Sequence, residues 1–224
     1  MIGIIGAMDQ EISHLVKKMD VQSTVILGGR RFYIGNLNSR DVVITKAGIG
    51  KTNASVTATL LLERFDIDYV INVGVAGGLL PAKQLDLVLC DGTVYHDVDI
   101  FGNEYGQIQD MPHIYPTSIE LTKKASYVAK KMGMRYLRGI VASGDQFVTD
   151  SKKLDRIRKS VKEIVAVEME GASIAQVSYI YGKPFIIIRV ISDVLDSKEQ
   201  LKEYEEIKDE ACQKNSDFVF EFIK

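Results

Sequence analysis

Short, unbroken apolar runs alternate along this chain with stretches of helical period, and that alternation limits the possible folds more than any other feature. The runs are Ile2–Ile5, Val42–Thr45, Tyr69–Val75, Leu85–Leu89, Gly139–Ala142 and Phe185–Ile191. They are rich in β-branched residues and continuous, as strands covered on both faces are. Between them, apolar residues recur at helical spacing. Ile12, Leu15, Val16 and Met19 fall at i, i+3, i+4 and i+7, and Ala54, Ala58, Leu61, Leu62 and Phe65 form a second stripe. A third helix opens on a capping box from Thr117 to Glu120 and stops at Gly133. A fourth runs from about Met169 to Tyr181, ahead of Gly182 and Pro184, and a last one carries Leu201, Tyr204, Ile207, Ala211, Phe218 and Phe222. The segment Val21–Thr45 differs: short strands broken at Gly28-Gly29 and Asn38-Ser39 predict an antiparallel meander. Strand and helix in alternation predict one α/β domain over residues 1–224, built on a mostly parallel sheet.

Composition excludes several classes of function. The 28 Lys and Arg residues nearly balance the 30 Asp and Glu residues, so no basic excess exists to neutralise a nucleic-acid backbone. Two cysteines (Cys90, Cys212) and three histidines (His14, His96, His113) argue against a disulfide scaffold and against a Cys/His metal site. No charged segment precedes the first apolar run, so a signal peptide is not expected. The most apolar stretch, Pro184–Ile191, is strand-sized and carries Arg189. The expectation is a cytoplasmic protein with reduced thiols and no membrane span, using carboxylates as its acids and bases and no metal or cofactor.

Five motifs carry chemistry. In Gly3–Glu11 a strand ends at Gly6 and a helix starts near Asp9. This puts Glu11 in a first helical turn at the carboxyl end of a strand, where α/β sheets bind ligands. Its acids equally complement the helix dipole. Gly48-Ile-Gly50-Lys51-Thr52 follows a strand and opens a helix, but Thr45 stands where a phosphate loop needs glycine. Asn72–Gly78 lets backbone approach a ligand, or only permits a turn. In Val165–Gly171 an apolar strand runs into Glu168, Met169 and Glu170, and in extended chain the two glutamates would share a face. In Phe185–Asp193 a charged Arg189 interrupts a core strand, so it must be paired, with Glu168 and Glu170 as natural partners. Ser192-Asp193 closes that strand, as a ligand site or as a helix N-cap. Tyr95-His96-Asp97-Val98-Asp99 reads as a polar loop rather than a metal site.

Taken in order, Gly3–Met8 with Glu11, Ala47–Lys51, Gly74–Gly78, Tyr95–Asp99, Ser143–Phe147, Val167–Glu170 and Arg189–Asp193 resemble the 5′-methylthioadenosine/S-adenosylhomocysteine nucleosidases of the nucleoside phosphorylase superfamily. The resemblance spans essentially the whole chain and implies a three-layer fold, a central mixed sheet flanked by helices. It implies hydrolysis of the N-glycosidic bond of 5′-thio-substituted adenosines, without a cofactor. The glutamate matching Glu11 is the base for the attacking water, and the aspartate matching Asp193 hydrogen-bonds adenine and protonates N7. Met169 and Glu170 match the residues that hold the ribose. Phe147 matches the residue that stacks on the base, and the backbone of Val148 matches its hydrogen-bonding partner. Met8 and Ile49 match residues lining the apolar part of the pocket. Gly77, in the Gly-rich turn, and Ser192, beside Asp193, complete the expected pocket, while Arg189 and Glu168 form an ion pair near it. In the family homodimer, residues matching Ile100 and Phe101 close the 5′-alkylthio pocket of the neighbouring subunit.

The sequence departs from that pattern at three places that bear on the pocket. Asp9-Gln10 stands where many relatives carry two glutamates. Val75 stands where many carry serine, removing a hydroxyl near the sugar. The Ser-Phe that opens the last helix in relatives is missing, so Tyr204 is the expected lid aromatic. The competing readings are a phosphate-dependent nucleoside phosphorylase, a P-loop-like nucleotide-binding protein and a non-enzymatic nucleoside sensor.

Overall fold

The computed structural model describes residues 1–195 and 197–224. From the amino terminus, β1 (Ile2–Gly6) leads into α1 (Asp9–Lys18), followed by the meander β2 (Asp20–Leu27), β3 (Arg30–Leu37) and β4 (Arg40–Lys46). Next come α2 (Lys51–Arg64), β5 (Tyr69–Gly78), β6 (Leu87–Tyr95), the two-residue β7 (Tyr115–Pro116) and α3 (Ile119–Lys131). The carboxyl half holds β8 (Tyr136–Ser143), α4 (Ser151–Ser160), β9 (Ile164–Glu168), α5 (Gly171–Ile180), β10 (Phe185–Val194) and α6 (Gln200–Phe222).

The strands form one mixed sheet in the order β10-β6-β8-β9-β5-β1-β4-β3-β2, and β10 also pairs with β5. Five strands, β5, β9, β8, β6 and β10, therefore close into a ring, which among the described residues leaves no free edge on that side of the molecule. β1 lies parallel between β4 and β5, and the meander pairs antiparallel, as its turn residues predict. Helices α1, α3 and α6 pack together on one face and α2 and α5 on the other. Each layer has its own apolar core: Ile4, Leu15, Ile71, Ile188, Phe218 and Phe222 in the first, Val43, Ala58, Leu61, Val70, Ile174 and Ile187 in the second. Successive residues Phe185 to Ile188 of β10 serve opposite layers, so an unbroken apolar run is required there.

Four local expectations are corrected. The cap of α3 is Ser118, whose side chain accepts from Leu121 N, while the Thr117 hydroxyl donates to the Cys90 carbonyl. α5 starts at Gly171, two residues later than its apolar pattern suggests. Ser192 and Asp193 lie within β10, not at the head of a helix. β9 ends at Glu168 and Glu170 leaves the extended region (φ −131°, ψ −31°), so strand periodicity does not carry the two glutamates to a common face. Helix α4 escapes sequence reading because its buried stripe is only Leu154 and Ile157 among charged residues.

Candidate active site

The carboxyl ends of β1, β5 and β10 point toward one cleft of about 590 Å³, its mouth included. Glu11, Met8, Ile49, Gly77, Phe147, Val148, Glu168, Met169, Glu170, Ser192, Asp193 and Tyr204 all line it. They come from distant parts of the chain: Met8 and Glu11 follow β1, Gly77 lies in β5 and Asp193 in β10, which run parallel, while Phe147 and Val148 follow β8 and Glu168 ends β9, a second parallel pair whose β9 runs antiparallel to β5. Arg189 lies behind this wall, fully buried. Ile100 and Phe101 are not among the lining residues, and Phe101 is fully exposed.

Glu11 sits in the first turn of α1, and its carboxylate is gripped by main chain. Oε2 accepts from Ala7 N at 2.6 Å and Met8 N at 2.9 Å, and Oε1 accepts from Val75 N at 3.1 Å. Gly74 is required beside it, since a Cβ there would lie 2.5 Å from Glu11 Oε1. Burial pushes the Glu11 carboxyl above the usual range, opposed by the Arg189 charge and these three amides. Glu11 thus does more than complement a helix dipole: it is a desolvated carboxylate facing a cleft, with its base strength raised.

Glu168 and Glu170 serve different purposes. Glu168 Oε2 meets Arg189 Nη2 at 2.6 Å, and its carboxylate also accepts from the backbone amides of Glu170 and Gly171 and from the Ser143 hydroxyl. Burial works against its charge, but Arg189 and these donors outweigh it and hold the carboxyl below its ordinary value. Arg189 in turn donates to the Asn72 carbonyl at 3.1 Å, so the ion pair is a buried structural knot. Glu170 accepts from Gly50 N at 2.8 Å. Burial, then the neighbouring Glu168 charge, pushes its carboxyl up to about 8. Near neutral pH it is largely protonated and can both donate and accept hydrogen bonds.

Asp193 closes the opposite wall. The Ser192 hydroxyl donates to its Oδ1 at 2.6 Å and Gln200 Nε2 to its Oδ2 at 2.8 Å. Burial raises its pKa, with a further push from the Glu203 charge. Phe147 and Tyr204 meet edge to face across the mouth, centroids 5.5 Å apart, and the Tyr204 hydroxyl approaches Met8 Sδ at 3.7 Å. Ile49 is half exposed at the rim. Sequence reasoning missed Gln200 because one glutamine at the head of a polar helix carries no periodic or motif signal.

The Gly-Lys-Thr turn is not a phosphate cradle. Its amides already bond carboxylates, Gly50 N to Glu170 and Lys51 N to Asp145 at 2.7 Å, while Lys51 Nζ pairs with Asp97 at 2.7 Å. No Lys or Arg lines the cleft among the described residues.

A ring of strands extended by a meander, with a carboxylate-rich cleft at its strand ends, is the architecture of the phosphorylase superfamily, to which the chain belongs over residues 1–224. Within it, a 5′-methylthioadenosine/S-adenosylhomocysteine nucleosidase of Staphylococcus epidermidis is 39% identical over 222 residues, covering 98% of this chain and 97% of the relative. The structure of a nucleosidase of the same name from Neisseria meningitidis, in complex with methylthio-immucillin-A, superposes with a TM-score of 0.95 at 35% identity, covering 100% of this chain and 98% of the other. A futalosine hydrolase of Helicobacter pylori matches with a TM-score of 0.94 at 31% identity over 99% of this chain and 96% of the other.

Proposed function

We propose that the protein hydrolyses the N-glycosidic bond of 5′-thio-substituted adenosines, 5′-methylthioadenosine and S-adenosylhomocysteine, and accepts 5′-deoxyadenosine. The products are adenine and the 5′-substituted ribose, as methionine salvage and the recycling of S-adenosylmethionine by-products require. The observation that carries the reading is the meeting of Glu11, Glu170 and Asp193 in one cleft, each buried and each with its pKa raised.

In this reading the C1′–N9 bond breaks as a water oxygen bonds to C1′. Glu11 takes the proton from that water, and protonated Asp193 supplies one to N7 of the departing adenine. Positive charge grows on the sugar and negative charge on the base, as in other glycoside hydrolyses. An ionised Glu11 favours the first change and a protonated Asp193 neutralises the second. Both carboxyls gain from burial, since a base and an acid work best with pKa values near the operating pH. Glu170, able to donate and accept, holds the ribose hydroxyls beside Met169. Phe147 stacks on adenine, the Val148 main chain hydrogen-bonds it, and Met8, Ile49 and Tyr204 bound the 5′ slot.

Adenine release from a panel of 5′-substituted adenosines, with and without phosphate, tests the proposal. Hydrolysis independent of phosphate is expected, because no Lys or Arg among the described residues lines the cleft and Glu11 repels an anion. Strict dependence on phosphate would instead favour the phosphorylase reading. The second part of the proposal is a homodimer in the cytoplasm, in which Ile100 and Phe101 complete the partner's 5′ pocket. The full exposure of Phe101 supports it, and no helix among the described residues is long and apolar enough to cross a membrane.

A further inference from the structure

We infer that Gln200 is a positioning residue for the acid: its side-chain amide ties the Asp193 carboxyl group to the Val148 segment, so that proton donor and base-binding loop are held as one unit. The inference rests on Asp193 being the acid. Gln200 is the first residue of α6 and is 5% exposed. Its Nε2 lies 2.8 Å from Asp193 Oδ2 and 3.0 Å from the Val148 carbonyl oxygen. A carbonyl only accepts, so the atom between the two must be the amide nitrogen, and the orientation of the side chain follows from chemistry. Each of its two N–H bonds is committed, one to each partner. Three segments distant in sequence, the end of β10, the loop after β8 and the head of α6, are thereby pinned at the one place where the base must receive a proton.

The same contact bears on how readily that proton leaves. A hydrogen bond donated to a carboxylate favours its ionised form and opposes the rise caused by burial. Among the described residues, Glu203 of α6 is the titratable group acting in the other direction. Its carboxylate is itself held by Val194 N at 3.1 Å and the Ser197 hydroxyl at 2.5 Å. Gly77 of β5 and Ser192 of β10 also face Asp193 and do not titrate. An acid that must release its proton in each turnover cannot hold it too tightly, and Gln200 supplies the restraint.

The test is the pH profile of adenine release from 5′-methylthioadenosine for the wild type, Gln200→Leu and Gln200→Glu, with Asp193→Asn as reference. Gln200→Leu should lower kcat by about ten- to hundred-fold with a smaller change in KM. It should also move the alkaline limb of the kcat profile to higher pH, because an acid active when protonated stays protonated longer once its donor is gone. Gln200→Glu, which sets a second carboxylate against Oδ2, should move the limb further in the same direction, and it carries the test if the leucine variant does not fold. A limb unmoved in both variants would overturn the inference even if kcat or thermal stability fell, since those losses alone describe a structural tie. Near-normal adenine release by Asp193→Asn would instead remove Asp193 from the acid role, a separate failure recognisable without the Gln200 variants.

Discussion

Glu168 and Glu170 leave the same strand end two residues apart, both buried, and finish in opposite electrostatic states. Glu168 turns into the protein and meets Arg189, the Ser143 hydroxyl and two backbone amides, so it stays ionised. Glu170 turns toward the cleft, meets one amide, and is pushed up to about 8, in part by the charge of Glu168. Burial is common to both, so it does not decide the outcome; the number of donors and the sign of the nearest charge do. The Glu168 carboxylate is taken up by an arginine, a hydroxyl and two amides, whereas Glu170 keeps hydrogen-bonding capacity for a ligand. By that measure the cleft should govern turnover and the knot should govern stability, and each substitution below should move mainly one of them.

The largest expected effect is on the chemistry. Asp193→Asn and Glu11→Gln should each lower kcat for adenine release by about 10³-fold or more, with unfolding transitions close to wild type. Comparable loss of both activity and fold would erase the distinction between cleft and knot. Next comes Arg189→Met, which leaves the Glu168 carboxylate uncompensated in the core. It should cost about 3–5 kcal/mol in urea unfolding, and a cost below ~1 kcal/mol would show that the pair contributes little.

Glu170→Gln sharpens the contrast through pH. In the folded protein Glu170 keeps its proton up to about 8, whereas in the unfolded chain it releases it near the ordinary value of 4.5. Its contribution to stability is therefore full below that ordinary value and is lost as pH rises through the folded one. The glutamine variant does not titrate, so its melting temperature should gain on the wild type between about pH 5 and pH 8. A difference independent of pH would contradict the protonated state assigned to Glu170. The smallest effect belongs to the rim: Tyr204→Ala removes one edge-to-face contact with Phe147, and KM should rise only several-fold, equivalent to about 0.5–1.5 kcal/mol.

The fold class was legible because strands covered on both faces must be apolar throughout, and the runs at Tyr69–Val75 and Phe185–Ile191 carry that signature without tertiary help. Glu11, Asp193 and Glu170 were legible as charged groups at the ends of such runs, where burial is hard to avoid. Ser192-Asp193 remained ambiguous, since the same dipeptide caps helices and ends strands; placement within β10 resolves it. Gln200 was invisible, because its role depends on two partners 7 and 52 residues away. The cap of α3 was misplaced by one residue because Thr117 and Ser118 have equivalent side chains, and only the packing of Thr117 against Cys90 distinguishes them.

By itself, then, the amino-acid sequence determined the alternation of strands and helices, the antiparallel meander, the shortage of metal-binding side chains and the identity of the acids to watch. Those properties are local, or follow from the period with which apolar side chains recur. Tertiary structure alone decided that β10 joins β5 to β6 in a closed ring, that Arg189 belongs to Glu168 and not to Glu170, and that the Gly50 amide is given to a carboxylate. These depend on distances between residues far apart in the chain, and the protonation state of a buried carboxyl is set by those distances.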